Sequence, residues 1–266
     1  MLHRRALLVG LGACAAVTAA AGASRAAAMQ SREPPASAVP TYQRVERTSE
    51  LRRLQPRALL EVPTSLPLVA LTFDDGPDPR YTPDVLDALA EADATATFFL
   101  IGANALAYPS LVRQLLAEGH SVGNHTYAHL DLVPQAPAAV LEEIDRAEHA
   151  ITLAGRVRPT LFRPPLASTS QAVGVLSDAR RYTTVYWTTC LEKYADSGTA
   201  SDVAQRVLDD VRPGSIILAH DGGHVVDSAT RIDRTLTVAA LPLVLSGLQR
   251  RGLRVVDVPR LVAAAQ

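Results

Sequence analysis

The sequence predicts an α/β fold with a mostly parallel sheet, organised as a distorted, incomplete (β/α) barrel. Three observations carry this expectation. From Leu68 onward, short β-prone runs alternate with amphipathic segments. Prolines stand where helices begin and glycines where they stop. About 200 residues in some seven such units suit a barrel that does not close better than an open sheet.

The elements follow in order. Residues 1–28 have a basic start, a small-residue apolar stretch and an Ala-rich end, the layout of an export signal cleaved near Ala28. Arg4-Arg5 resembles the twin-arginine signal, and Leu11–Cys14 resembles a lipoprotein box, although apolar sequence continues past Cys14. Cleavage is the favoured reading. Lipidation and an uncleaved anchor are the alternatives, because the stretch approaches bilayer-spanning length. Residues 29–66 are rich in proline and arginine and read as a linker with a short helical turn around Leu51–Leu54. A catalytic domain is expected over 67–262. Its strands are expected at 68–73, 95–101, 121–123, 160–162, 183–187, 215–219 and 253–258, and its helices at 82–91, 109–118, 137–154, 200–211 and 232–251. Pro83, Pro109 and Pro137 open helices; Gly119, Gly155 and Gly252 close them.

Composition narrows the function. The 266 residues are 48% apolar and carry a formal net charge of −1, a soluble globular balance that offers no electrostatic attraction to nucleic acid. Lys193 is the only lysine. Once the signal is removed with Cys14, Cys190 is the only cysteine, so no intrachain disulfide can form and stability rests on the core.

The chemistry gathers where the apolar runs end. "LVALTFDDGP" ends in Asp74-Asp75, and two adjacent carboxylates oppose each other's ionisation unless a cation or proton lies between them. A polar turn with Gly76-Pro77 accounts for the pair by itself; the alternative is a site with one carboxylate on a metal and its neighbour free as a base, which the rest of the chain has to support. "HSVGNHTYAHLDL" supplies His125 and His129, which one helical turn would point the same way. "FRPP" supplies Arg163, and "IILAHD" supplies His220 and Asp221. Two imidazoles and one carboxylate suit zinc and leave positions open to water.

In this order, "TFDDGP", "NHTYAH", "FRPP" and "LAHD" strongly resemble the NodB-homology polysaccharide deacetylases of carbohydrate esterase family 4, over about residues 68–258. "ATFFLIG", "GHSVGNHT" and "RTLTVAALPLVLSGLQRRG" extend the likeness beyond those motifs. The resemblance implies an incomplete barrel of the NodB-homology type and a divalent metal, zinc first and cobalt second, on Asp75, His125 and His129. It implies Asp74 as the base, Arg163 as its partner, His220 as the acid, and the backbone N–H of Leu166 as an oxyanion donor. The implied activity is metal-dependent hydrolysis of acetyl groups, N-acetyl or alternatively O-acetyl, on a glycan of the cell wall or environment, and the implied partner is that acetylated glycan. The alternatives are a catalytically weak glycan-binding relative and a hydrolase of other non-peptide C–N bonds.

One further motif of the family, W-x-x-D-x-x-D-W, is altered. In "WTTCLEKYADSG", Trp187 matches the first tryptophan, Cys190 and Lys193 replace the two aspartates, and Tyr194 replaces the final tryptophan. In the family the second aspartate partners the catalytic histidine, and a lysine there would oppose its charge. Three readings stand open: support of His220 by Glu192, Asp196 or Asp221; a substrate with a better leaving group; or a poorly active glycan binder. Ala167 stands where the family has glycine. His120 is expected to cap or pack at its strand, His149 to lie in a charged helix, and His224 to decorate a loop; Tyr81 and Trp187 suit either a sugar groove or the core.

Overall fold

A computed structural model describes residues 48–168, 170–193, 198–223 and 232–266. Residues 1–28, Tyr194, Asp196 and His224, on which several expectations fall, lie outside the described residues.

All the strands among the described residues pair in parallel. A continuous path in the order β5-β4-β3-β2-β1-β7-β6 comprises β5 (Thr183–Thr184), β4 (Leu161–Phe162), β3 (Ser121–Asn124), β2 (Thr97–Leu100), β1 (Leu68–Asp74), β7 (Ile216–His220) and β6 (Thr189–Cys190). An eighth strand, β8 (Arg254–Val256), pairs with the first half of β1. The two ends of the path do not pair with each other in the described chain, so this is the expected incomplete (β/α) barrel.

Side-chain alternation along the central strands sorts residues to the two faces of the sheet. Val69, Leu71 and Phe73 of β1, with Phe98, Ile217 and Ala219, join the core that α2 (Thr82–Glu91), α4 (Pro109–Ala117), α7 (Ala200–Asp210) and α8 (Thr235–Arg250) cover. Ala70, Phe99, Ile216 and Leu218 face the barrel interior with Tyr186 and Trp187. Asp74 falls on the inward phase, directly across from Phe99 on one side and His220 on the other. Both faces of β1 are buried, which explains its nearly unbroken apolar run.

The stretch expected to be a linker differs from expectation where it is described. Helix α1 (Thr48–Leu54) packs the fully buried Leu51 into the inner core, where Leu60 and Val62 follow it. Leu59 pairs with Val185 and Glu61 with Ser215, so this stretch runs from the end strand β5 to the start of β7. The remaining helices are α3 (Gly102–Ala107), α5 (Pro137–Gly155), α6 (Gln171–Ala179) and α9 (Val258–Ala264). Prolines open α2, α4 and α5 as their positions predict. The elements α3, α6, β6 and α9 are additions to the sequence expectation. No described helix is long and apolar enough to cross a membrane.

Candidate active site

At the carboxyl ends of the strands the parallel register gathers Asp74, Asp75, His125, His129, Arg163, Glu192 and His220. Ladder hydrogen bonds continue past the strand ends, from His125 N–H to Leu100 O at 3.0 Å, Arg163 N–H to Asn124 O at 3.0 Å and Asp221 N–H to Asp74 O at 3.2 Å. The residues that follow the strands are therefore still held by the sheet.

Arg163 is fully buried and sets the orientation of Asp74. Its Nη1 donates to Asp74 Oδ1 at 2.7 Å and to Thr72 Oγ1 at 2.9 Å, while Nε and Nη2 donate to the carbonyls of Val185 and Tyr186. The guanidinium lies 4.1 Å from the ring centroid of Phe99. Asp74 Oδ1 is thereby occupied, and Oδ2 lies on the His125 side, 3.7 Å from Nε2.

Asp75 adopts a left-handed backbone (φ 72°), which turns its side chain away from that of its neighbour. Its Oδ1 lies 3.5 Å from His125 Nε2 and 3.1 Å from His129 Nε2, yet it is buried without a well-formed hydrogen bond. Its Oδ2 accepts from Arg234 Nη2 at 3.0 Å. Burial opposes the charge on Asp75, but the neighbouring imidazoles outweigh it and hold the carboxyl well below the usual range. Burial likewise disfavours a charged His125, and the Asp74 and Asp75 carboxylates overcome it, drawing a proton toward the ring.

The helical turn expected to align the two histidines is corrected by the structure. His125 follows β3, and the chain to His129 is a loop with positive φ at Thr126 (66°) and His129 (55°). Asn124 Oδ1 accepts from Thr126 N–H, Thr126 Oγ1 accepts from His129 N–H, and Glu143 Oε2 of α5 accepts from the N–H groups of Tyr127 and Ala128. These bonds replace the helical ladder and still bring the ring centroids to 5.0 Å.

The donor set fits a divalent cation. Tetrahedral zinc, with bonds of about 2.0–2.3 Å, spaces neighbouring ligands roughly 3.3–3.7 Å apart, close to the separations around Asp75 Oδ1. His125 Nδ1 sits 2.7 Å from Arg163 O; as donor there, it leaves the Nε2 lone pair for a metal.

On the opposite side, Glu192 follows β6 and meets His220. Its Oε2 lies 3.1 Å from His220 Nδ1, and its Oε1 accepts from His220 N–H at 3.0 Å and Thr237 Oγ1 at 2.8 Å. Burial raises the Glu192 pKa, but the charge of His220 and its hydrogen bond outweigh this and lower it to about 2. Lys193 is exposed, so the buried carboxylate beside His220 is supplied one residue before the register the motif suggests. Cys190 Sγ donates to Glu192 Oε2 at 3.3 Å.

Asp221 points elsewhere. Its Oδ2 accepts from Thr82 Oγ1 at 2.6 Å, and a side chain on Gly76 would approach its carboxyl to 2.4 Å. Burial lifts Asp221 to about 7, against the Thr82 hydrogen bond and reinforced by the charge of Asp75. A carboxyl raised in this way favours the folded state below its unfolded pKa of 3.8, and this contribution disappears as pH climbs through about 7. Asp221→Asn in metal-free protein is therefore expected to flatten the decline in stability between those pH values, by on the order of 3–4 kcal/mol. Thermal unfolding with chelator at pH 4 and pH 8 checks this, and parallel curves for both proteins would refute it.

Leu166 is 58% exposed, and both it and Ala167 hold left-handed backbone (φ 55° and 52°), the conformation glycine would take without strain. Trp187 and Tyr186 belong to the inner core, His120 Nδ1 accepts from Ala96 N–H, and His149 is exposed on α5. The sequence reading missed Arg234 and Glu143. Arg234 opens the segment RTLTVAALPLVLSGLQRRG and Glu143 lies in a charged helix, and no local pattern separates either from a solvated charge. A surface hollow of about 570 Å³ beside Thr95, Arg254 and Arg260 lies at the strand starts, away from this chemistry.

Residues 61–186 match the family model described as polysaccharide deacetylase. The chain is 37% identical over 215 residues to a peptidoglycan-N-acetylglucosamine deacetylase of Bacillus cereus, covering 79% of this chain and 96% of that one. It is 39% identical over 197 residues to a chitooligosaccharide deacetylase of Bradyrhizobium sp., covering 73% and 90%. The crystal structure of a peptidoglycan N-acetylglucosamine deacetylase with 4-naphthalen-1-yl-N-oxidanyl-benzamide superposes with a TM-score of 0.71 at 30% identity, covering 78% and 93%.

Proposed function

Since the chain belongs to the polysaccharide deacetylase family, we propose that it hydrolyses N-acetyl groups of a glycan, at a metal centre on Asp75, His125 and His129. Zinc is the proposed metal. Asp75, His125 and His129 would hold a divalent cation, which would supply Lewis-acid polarisation of the acetyl carbonyl and acidify water enough for attack at neutral pH.

The chain's own groups account for the proton movements. Asp74 is the base: Arg163 occupies Oδ1, so Oδ2 takes the proton of the attacking water. The Leu166 N–H stabilises the oxygen that becomes negative when water adds to the carbonyl carbon. His220 then gives a proton to the sugar nitrogen as its bond to the acetyl carbon breaks, which releases the free amine and acetate. Glu192 orients His220 through Nδ1 and offsets the positive charge of the protonated ring. The single observation that carries this reading is the pairing of two differently engaged aspartates, one on Arg163 and one between two imidazoles.

The relatives' names divide between peptidoglycan and chito-oligosaccharide, and we place the substrate among such N-acetylglucosamine glycans. We assign residues 1–28 to export, which would bring the enzyme to the cell envelope or outside it, and the catalytic unit to 67–262 with the packed stretch before it. The test is acetate release from acetylated chito-oligomers, peptidoglycan and acetyl-xylan with zinc added. Asp74→Asn is expected to lower release by about 10²–10⁴-fold, the contribution of a general base, at unchanged metal content. A fully active Asp74→Asn protein would remove the proposed base, and no release from any acetylated glycan by the wild type would favour a binding role.

A further inference from the structure

A second group of metal-ligating side chains lies beside the proposed acid. Cys190, Glu192 and His220 are all buried, and their ligand atoms lie within 4.8 Å of one another. The Glu192 carboxylate oxygen Oε2 is central, 3.3 Å from Cys190 Sγ and 3.1 Å from His220 Nδ1. Those separations approach the ligand spacing of about 3.3–3.7 Å around tetrahedral zinc. Secondary structure fixes the three donors: Cys190 ends β6, His220 ends β7, and the ladder bond from Leu191 N–H to Leu218 O holds the two strand ends together. Thr237 and the His220 N–H anchor the other carboxylate oxygen, so Oε2 is presented to the sulfur and the ring nitrogen.

We propose that Cys190, Glu192 and His220 form a second, inhibitory site for a thiophilic divalent cation such as zinc. The ion replaces two protons, that of the thiol and the one His220 Nδ1 holds toward Glu192, both of which leave to solvent, and it takes the Nδ1 lone pair so freed. A ring bound in this way has lost its Glu192 contact and its place in proton delivery. The set of sulfur, nitrogen and oxygen donors is softer than the Asp75 set, so the two sites differ in metal preference. Binding here must remove a thiol proton as well as break an ion pair, whereas the Asp75 set holds no thiol, so this site fills after the Asp75 site. The binding claim stands on this geometry alone, whereas the inhibition rests on the reading of His220 as the acid.

Cobalt titration of the full chain separates the two claims. A near-ultraviolet thiolate-to-cobalt absorption is expected once the first equivalent is bound, and Cys190→Ser should abolish it together with uptake of the second equivalent. Cys14 is the only other thiol, so loss in Cys190→Ser assigns the band. Cys190→Ala serves if the serine variant is unstable. Excess zinc is expected to lower wild-type acetate release by about 10²-fold at saturation, the share of a general acid, relative to the same protein with one equivalent. Each variant, compared with itself, should lose that response. Absence of the band, or its persistence in both variants, overturns the site. A band without inhibition overturns the regulatory role. If no glycan is hydrolysed at all, the deacetylase reading has failed, and the band still decides whether the metal site exists.

Discussion

Glu192→Gln is expected to lower kcat for deacetylation by about 10²–10³-fold with KM little changed, because the amide keeps the shape but not the charge facing His220. The alkaline limb of the pH–rate profile, where His220 loses its proton, should move to lower pH with it, a signature that a purely structural role would not produce. Lys193→Asp is expected to change the rate little, because that side chain is exposed and a buried carboxylate already meets the ring. The register of the altered motif predicts the opposite pattern, with lysine disabling the acid and aspartate restoring it. A rate gain in Lys193→Asp together with a silent Glu192→Gln would therefore refute the assignment of Glu192.

Arg163→Met is expected to destabilise the fold by about 3–5 kcal/mol, the cost of breaking a buried ion pair and stranding one of its members. For a domain of this size that corresponds to a Tm lower by about 10 °C. The side chain is fully buried, so solvent does not screen the loss, and three further acceptors, Thr72 Oγ1 and the Val185 and Tyr186 carbonyls, lose donors at the same time. Arg163→Lys keeps the charge but cannot serve four acceptors from one ammonium point, so an intermediate loss is expected. Thermal and denaturant unfolding measure both. An Arg163→Met protein as stable as wild type would show that Asp74 is not stranded, and that its orientation comes from elsewhere.

The long central strands were legible because β1, β2 and β7 are buried on both faces and so read as nearly continuous apolar runs. The elements that escaped notice are short or ambiguous. Strand β6 has two residues, α3 is six residues with a single large apolar side chain, Leu106, and α6 carries Gly174 among its valines. Helix α9 starts with Val258-Pro259 one residue after β8, with only the capping Asp257 between them, so its first residue reads as a continuation of the strand. The histidine pair was legible as chemistry but not as conformation, because its left-handed turns depend on Glu143, fourteen or more residues downstream on α5.

By itself the sequence determined the alternation of strand and helix, and the residue types standing at the end of each strand. It could do so because burial and strand period act locally, and both leave a mark in the order of side chains. Tertiary structure alone decided which charges meet. Arg234 reaches Asp75 across 159 residues, Arg163 reaches Asp74 across 89, and Glu192 rather than Lys193 faces His220 across 28. Partners of this kind are selected by the parallel register and by which side chains can be buried together. An ion pair between distant elements imposes no period on either segment, so no local pattern records it.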